Sequence, residues 1–273
     1  MPMMLPSVTL DRAAMHELLA RFAPAQAAAV LLVGSRARGA AGPYSDVDWL
    51  RVARDETGLA GDGSYLVSDR LVVVSTLTPL AAEKIFAEPE AACNYLIGLR
   101  TGQILLDATG EGAKLQRRAR DFVWGAEMQS KANVWAAKAL VGWIEEVHKG
   151  LEGLRRHDVG RLLSARFGLS WGLSTVVKVQ RGLLLTSENG HWDEINRAVG
   201  ESSRWVLDRH VAFGLEDGCG ATPSLAAQVR AGLRLYVATV AMMEHLLPEP
   251  ERGMIWATVA RIEQELTGIG SGA

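Results

Sequence analysis

Two aspartates, Asp46 and Asp48, stand two residues apart in the run Ser45-Asp-Val-Asp-Trp-Leu50. On a β-strand, residues i and i+2 point to the same face, so the pair aims two carboxylates at one point. Just upstream, the apolar run Ala27 to Val33 ends in Gly34-Ser35 and a basic turn through Arg36, Arg38 and Gly39. A glycine lets backbone amides approach an anion with no Cβ in the way, and a serine adds a hydroxyl donor. Two adjacent carboxylates suit Mg²⁺, which is usually completed by substrate phosphates. Leu31–Leu50 therefore fits a divalent cation together with a nucleoside triphosphate.

Each half of this pattern is weak alone. Asp-x-Asp also decorates solvated strand edges, and Gly-Ser marks ordinary turns. Their order, with a strand before and Val47 and Trp49 interleaved, is what makes the pattern specific. No Gly-Lys-Ser/Thr follows the glycines, so the phosphate loop of the Walker type is absent.

Gly34-Ser35, Arg38, Gly39 and Ser45-Asp46-x-Asp48 resemble the signature of the DNA polymerase β-like nucleotidyltransferases. The resemblance covers roughly residues 10 to 107. It implies an α+β fold, with an N-terminal mixed sheet and flanking helices. It also implies Mg²⁺ on Asp46 and Asp48, ATP or another NTP as donor, and nucleotide contacts from Gly34, Ser35, Arg38 and Ser45. That family usually carries a third carboxylate on a later strand. Here the corresponding run, Arg70 to Thr78, has Val73 near that place and no acid. One metal on two aspartates, or an acid supplied from the helical half, would have to substitute.

The elements that position these groups follow from periodicity. Leu10 to Phe22 reads as a helix through Met15, Leu18, Leu19 and Phe22. Strands are expected over Ala27–Val33 and Asp46–Val52, with Val47, Trp49 and Arg51 opposite the acids. A hairpin follows over Tyr65–Val67 and Arg70–Thr76, turning at Ser68-Asp69. Pro79 begins a helix that Pro89 interrupts, and Ile104–Leu106 reads as a last short strand. From about Lys114 helical periodicity takes over, giving domains at 1–112 and 113–273, the second a helical bundle. Trp135, Ala139, Trp143 and Val147 form one helical stripe. Arg161 to Val179 is apolar all round and is expected at the bundle centre.

Bulk properties narrow the partners. The 273 residues are 48% hydrophobic and 22% charged with a net charge of −2, and the pI is near 6.3. That balance argues against a surface built for long nucleic acid. Cys93 and Cys219 match no zinc or redox spacing and read as packing thiols. The N-terminal segment has no signal-peptide pattern, and no apolar run approaches a membrane span. A cytoplasmic protein is expected.

In the helical half, Glu145 and Lys149 lie four apart, which by itself describes a solvated pair. The block Ile144 to Val199 also resembles the kanamycin-type antibiotic nucleotidyltransferases, in spacing more than in identical residues. That resemblance implies Glu145 as general base for an acceptor hydroxyl and Lys149 as a contact to the nucleotide phosphates. Glu146, among Ala139, Gly142 and Gly150, is a rival base. His148 reads as a surface or core histidine, Asp158 as a helix cap, and His191-Trp192-Asp193 as a helix start or pocket wall. Trp143 and Trp171 read as packing residues that are also placed to stack on a substrate ring.

The reading is transfer of an NMP, AMP from ATP above all, to a hydroxyl of a small molecule such as an aminoglycoside or lincosamide. A homodimer is compatible with it. The alternatives are an AMP-transferring antitoxin acting on a protein partner and a non-catalytic nucleotide-binding protein.

Overall fold

Residues 10–216 and 220–268 are described in a computed structural model; Cys219 and the first nine residues, used in the leader reading, lie outside them. Helix α1 (Arg12–Phe22) begins where the Asp11 carboxylate accepts the Ala14 N–H at 2.8 Å, two residues later than the apolar periodicity suggested. After it come β1 (Ala27–Val33), a single helical turn α2 (Gly34–Ala37), β2 (Val47–Ala53), β3 (Gly63–Val67) and β4 (Arg70–Leu77). The β3–β4 hairpin turns on Ser68 and Asp69, both left-handed (φ 48° and 60°), as a tight two-residue turn requires. Thr78 caps α3 (Pro79–Ala87), where proline sits in the first turn and costs no hydrogen bond. Pro89 ends that helix and opens α4 (Pro89–Thr101), which leads to β5 (Gln103–Asp107) and α5 (Glu111–Asp121).

The described strands form one mixed sheet in the order β3-β4-β2-β1-β5, with β2 and β4 parallel and the other pairs antiparallel. The fold is α+β. Leu18 and Phe22 of α1 pack on Val30, Val47, Trp49 and Val72, all buried. The alternation of β2 therefore sends Val47 and Trp49 into this core and Asp48 to the other face. Arg51 follows the core-side parity and is 3% exposed, donating to Thr76 Oγ1 at 2.9 Å and Asp62 Oδ1 at 2.6 Å.

Compactness divides the described chain into two units. The first runs to Trp124 and includes Leu184–Glu188; the second comprises Gly125–Leu183 and the residues from Asn189 on. The first extends past residue 112 because Asp107 accepts the Gly112 and Ala113 amides, which ties α5 to β5.

The second unit is helical: α6 (Ala126–Gly142), α7 (Ile144–Arg156), α8 (Val159–Phe167), α9 (Leu173–Gln180), α10 (His191–Val199), α11 (Arg204–Ala212), α12 (Leu225–Met243) and α13 (Glu249–Gly268). Two expectations change here. The stripe through Trp135 and Val147 is broken at Trp143, the joint between α6 and α7. The apolar stretch 161–179 is not uniformly central either: Leu163, Phe167 and Trp171, every fourth residue, are 48–70% exposed. A π-helical turn, Gly168–Gly172, interrupts it. The turn fits around α7, since a Cβ on Gly172 would lie 2.3 Å from the Trp143 ring. No described helix is long and apolar enough to cross a membrane.

Candidate active site

β2 carries the site. Asp48 pairs in register with Val33 on β1 and with Val73 on β4. Asp46 precedes the strand by one residue, so the chain enters β2 through it. The glycine turn lies against Asp48. Gly34 has φ +71°, and a Cβ there would fall 1.8 Å from Asp48 Oδ2, so both its conformation and its contact require glycine.

Among the described residues no donor hydrogen-bonds either carboxylate. The Asp48 carboxyl is pushed up to about 6, first by burial, then by the charges of Asp46 and Glu188, with Arg38 acting the other way. A partly desolvated Asp48 beside the like charge of Asp46, with no donor to either carboxylate among the described residues, forms a site that an external cation would relieve. Their hard oxygens fit Mg²⁺. No group of three or more His, Cys, Asp or Glu placed to hold a metal occurs among the described residues. The chain thus offers two carboxylates, and the remaining ligands would be phosphate oxygens and water. The strand register puts Val73 beside Asp48, where a third strand acid would stand.

The two arginines of the turn part company. Arg36 is buried, 8% exposed, and donates through Nε to the Asp46 carbonyl at 2.9 Å and through Nη2 to the Ser45 carbonyl at 2.7 Å. Arg38 remains half-buried, with its charge acting on Asp48. The Ser45 hydroxyl accepts the Gly42 N–H at 2.9 Å and closes the loop that leads into β2.

In the helical unit, Lys149 Nζ bridges Glu145 Oε1 at 2.9 Å and Glu146 Oε1 at 2.7 Å. The two glutamates differ sharply in setting. The Glu145 side chain is 75% exposed, that of Glu146 only 16%. Lysine contact lowers the pKa of Glu145. Glu146 Oε2 is buried without a hydrogen-bond partner among the described residues, and its stem lies under Gly168, where a Cβ would come 2.6 Å from Cγ. Of the small residues near Glu146, Gly150 is packed against Val229, Ala165 and Leu233, whereas a Cβ on Gly142 would meet nothing within 4 Å. A cavity of about 480 Å³ lies beside Glu145 and Lys149, lined also by His148, Arg155, Arg161 and Arg261.

Asp158 caps α8 by accepting the Arg161 N–H at 3.1 Å. His148 is exposed, 3.4 Å from Arg261 Nη1. His191 opens α10 with its ring 5.4 Å from that of Trp171. No local pattern points to Arg209, a fully buried guanidinium that donates to Ser174 Oγ, Asn196 Oδ1 and the Trp192 carbonyl. It also stacks on the Trp192 ring at 4.2 Å. Only helix packing reveals it, since these partners come from two other helices, α9 and α10.

No curated protein matches the chain. Among solved structures it is similar to a nucleotidyltransferase-like protein from Exiguobacterium sibiricum 255-15, at 13% identity and a TM-score of 0.47, over 93% of this chain and 78% of that one. Residues 16–90 match the family model described as Nucleotidyltransferase domain. That stretch contains Gly34, Ser35, Asp46 and Asp48 and ends in the first turn of α4, so the match rests on the sheet unit and leaves the helical unit uncovered.

Proposed function

We propose that the protein moves an NMP, AMP from ATP in the first instance, onto a hydroxyl of a small molecule, with an aminoglycoside or lincosamide as the first acceptors to try. One observation carries this reading: Asp48 lies against the Gly34 turn within the field of Asp46, and among the described residues no donor hydrogen-bonds either carboxylate. The match of residues 16–90 supports nucleotidyl transfer as the general reaction class.

In this reading Asp46 and Asp48 would hold a divalent ion, which would supply charge neutralisation for the triphosphate. The Gly34 turn and the Ser35 hydroxyl receive the phosphates, and Arg38 adds a cation near them. A carboxylate of α7 accepts the proton of the acceptor hydroxyl, whose oxygen attacks the α-phosphorus while the bond to pyrophosphate breaks. Glu145 is the position the kanamycin-type layout favours. Glu146 is the other candidate: its side chain is largely enclosed and one oxygen has no hydrogen-bond partner among the described residues, while Lys149 pairs with both glutamates. Lys149 is the candidate phosphate contact from this helix. A cytoplasmic setting, rich in nucleotide and Mg²⁺, goes with this activity.

Pyrophosphate release from ATP and Mg²⁺ with a panel of hydroxylated antibiotics and metabolites tests the proposal. Turnover with at least one acceptor is expected. Val73 beside Asp48 favours a second reading, a protein that binds nucleotide without transferring it. ATP-dependent thermal stabilisation with no pyrophosphate from any acceptor would decide for that reading.

A further inference from the structure

We infer that Arg36 is a positioning residue for the carboxylate pair, gripping the backbone on both sides of Asp46 and so setting where the metal-binding carboxylates point. This rests on the nucleotidyl-transfer reading of the site.

The geometry is specific. The Ser45 carbonyl belongs to the peptide group before the Asp46 Cα and the Asp46 carbonyl to the one after it. Nη2 and Nε of one guanidinium take these two oxygens at 2.7 and 2.9 Å. With both flanking peptide planes held, the Asp46 backbone torsions are held, and the direction of its side chain follows. Asp48 lies two residues further along the strand that these bonds anchor, in register with Val33 and Val73.

Arg36 itself grows from α2, the turn that opens with Gly34, and Gly34 is in contact with Asp48. The guanidinium therefore ties the phosphate-facing turn to the carboxylate strand. It does so through carbonyl oxygens, and among the described residues no donor hydrogen-bonds the carboxylate of either aspartate. A planar fork with several fixed donors spans two carbonyls; the single ammonium of lysine keeps the charge without that shape.

The test is Mn²⁺ affinity of the full chain by calorimetric titration, read with thermal melting and with kcat and KM for pyrophosphate release. Arg36→Lys should weaken Mn²⁺ about tenfold or more and lower kcat, while KM for the nucleotide stays near wild type and the melt stays cooperative. Arg38→Met should do the reverse, raising KM with Mn²⁺ affinity retained. In Arg36→Ala, added methylguanidine should restore part of the Mn²⁺ affinity and methylamine should not. A folded Arg36→Lys protein that binds Mn²⁺ like wild type overturns the inference. Loss of cooperative melting in both variants, unrelieved by methylguanidine, also overturns it, leaving Arg36 a fold-holding residue. A wild-type protein that binds no Mn²⁺ removes the nucleotidyl-transfer reading, and this inference with it.

Discussion

Asp48 in the sheet unit and Arg209 in the helical unit are both charged groups drawn away from water, yet their surroundings differ in kind. Arg209 is wholly enclosed, and its donors end on a serine, an asparagine and backbone carbonyls, with Trp192 against its face. Burial lowers its pKa to about 10, which leaves it charged at neutral pH. Asp48 has acidic neighbours and, among the described residues, no donor, and its pKa rises to about 6. A buried charge with its hydrogen bonds made holds a structure together; one surrounded by like charge is strained until something from outside joins it. The contrast separates a structural ion from a candidate binding one.

The comparison can be broken by exchanging the expected consequences. Asp46→Asn or Asp48→Asn should reduce metal-dependent pyrophosphate release by about 10²- to 10³-fold, while the metal-free melting temperature holds or rises. Arg209→Met should do the opposite in character, costing roughly 3 kcal/mol or more in urea unfolding, because several buried acceptors lose their donor at once. If Asp48→Asn unfolds the protein and Arg209→Met does not, the assignment of roles is inverted. Within the helical unit, Glu146→Gln should lower kcat by about 10²-fold and Glu145→Gln by much less; equal losses would show that the exposed carboxylate takes part.

A pH series sharpens the same comparison. Folded Asp48 binds its proton more tightly than the ordinary value of 3.8, so metal-free stability from this group falls as pH rises from about 4 to about 6. His191, half-buried beside Arg209 and Lys178, is lowered from 6.5 to about 4, so its contribution is present above 6.5 and lost as pH falls toward 4. Melting from pH 4 to 8 should show the first trend vanish in Asp48→Asn and the second in His191→Phe. Mg²⁺ should stabilise the wild type more at pH 7 than at pH 5. The smallest effect expected is in Glu188→Gln, which should move the Asp48 pKa downward in a carboxyl-resolved NMR titration.

Much of the sheet unit was legible because its signals are local. Strand alternation around Val47 and Trp49, the Ser68-Asp69 turn and the prolines at 79 and 89 act within a few residues, and each marks the element observed. The boundaries that moved did so where a side-chain bond decides them, as Asp107 does for α5. The helical unit was less legible. The π-helical turn at Gly168–Gly172 depends on Trp143 and Glu146 of another helix, and neighbours in space leave no mark on periodicity.

The chain alone determined that two aspartates stand two apart where a strand begins, close after a glycine turn, because strand alternation and the freedom of glycine are properties of adjacent residues. By residue type it left Arg36 and Arg38 alike, only the family resemblance choosing Arg38, and Glu145 and Glu146 nearly so. Only the tertiary structure turned Arg36 inward onto the carbonyls around Asp46 and left Arg38 facing the site. It likewise enclosed Glu146 beneath the π-helical turn and left Glu145 in solvent. The physical reason is the same in both cases: charge and chain length are set by residue type, whereas desolvation and hydrogen-bond partners are set by whatever the fold packs alongside.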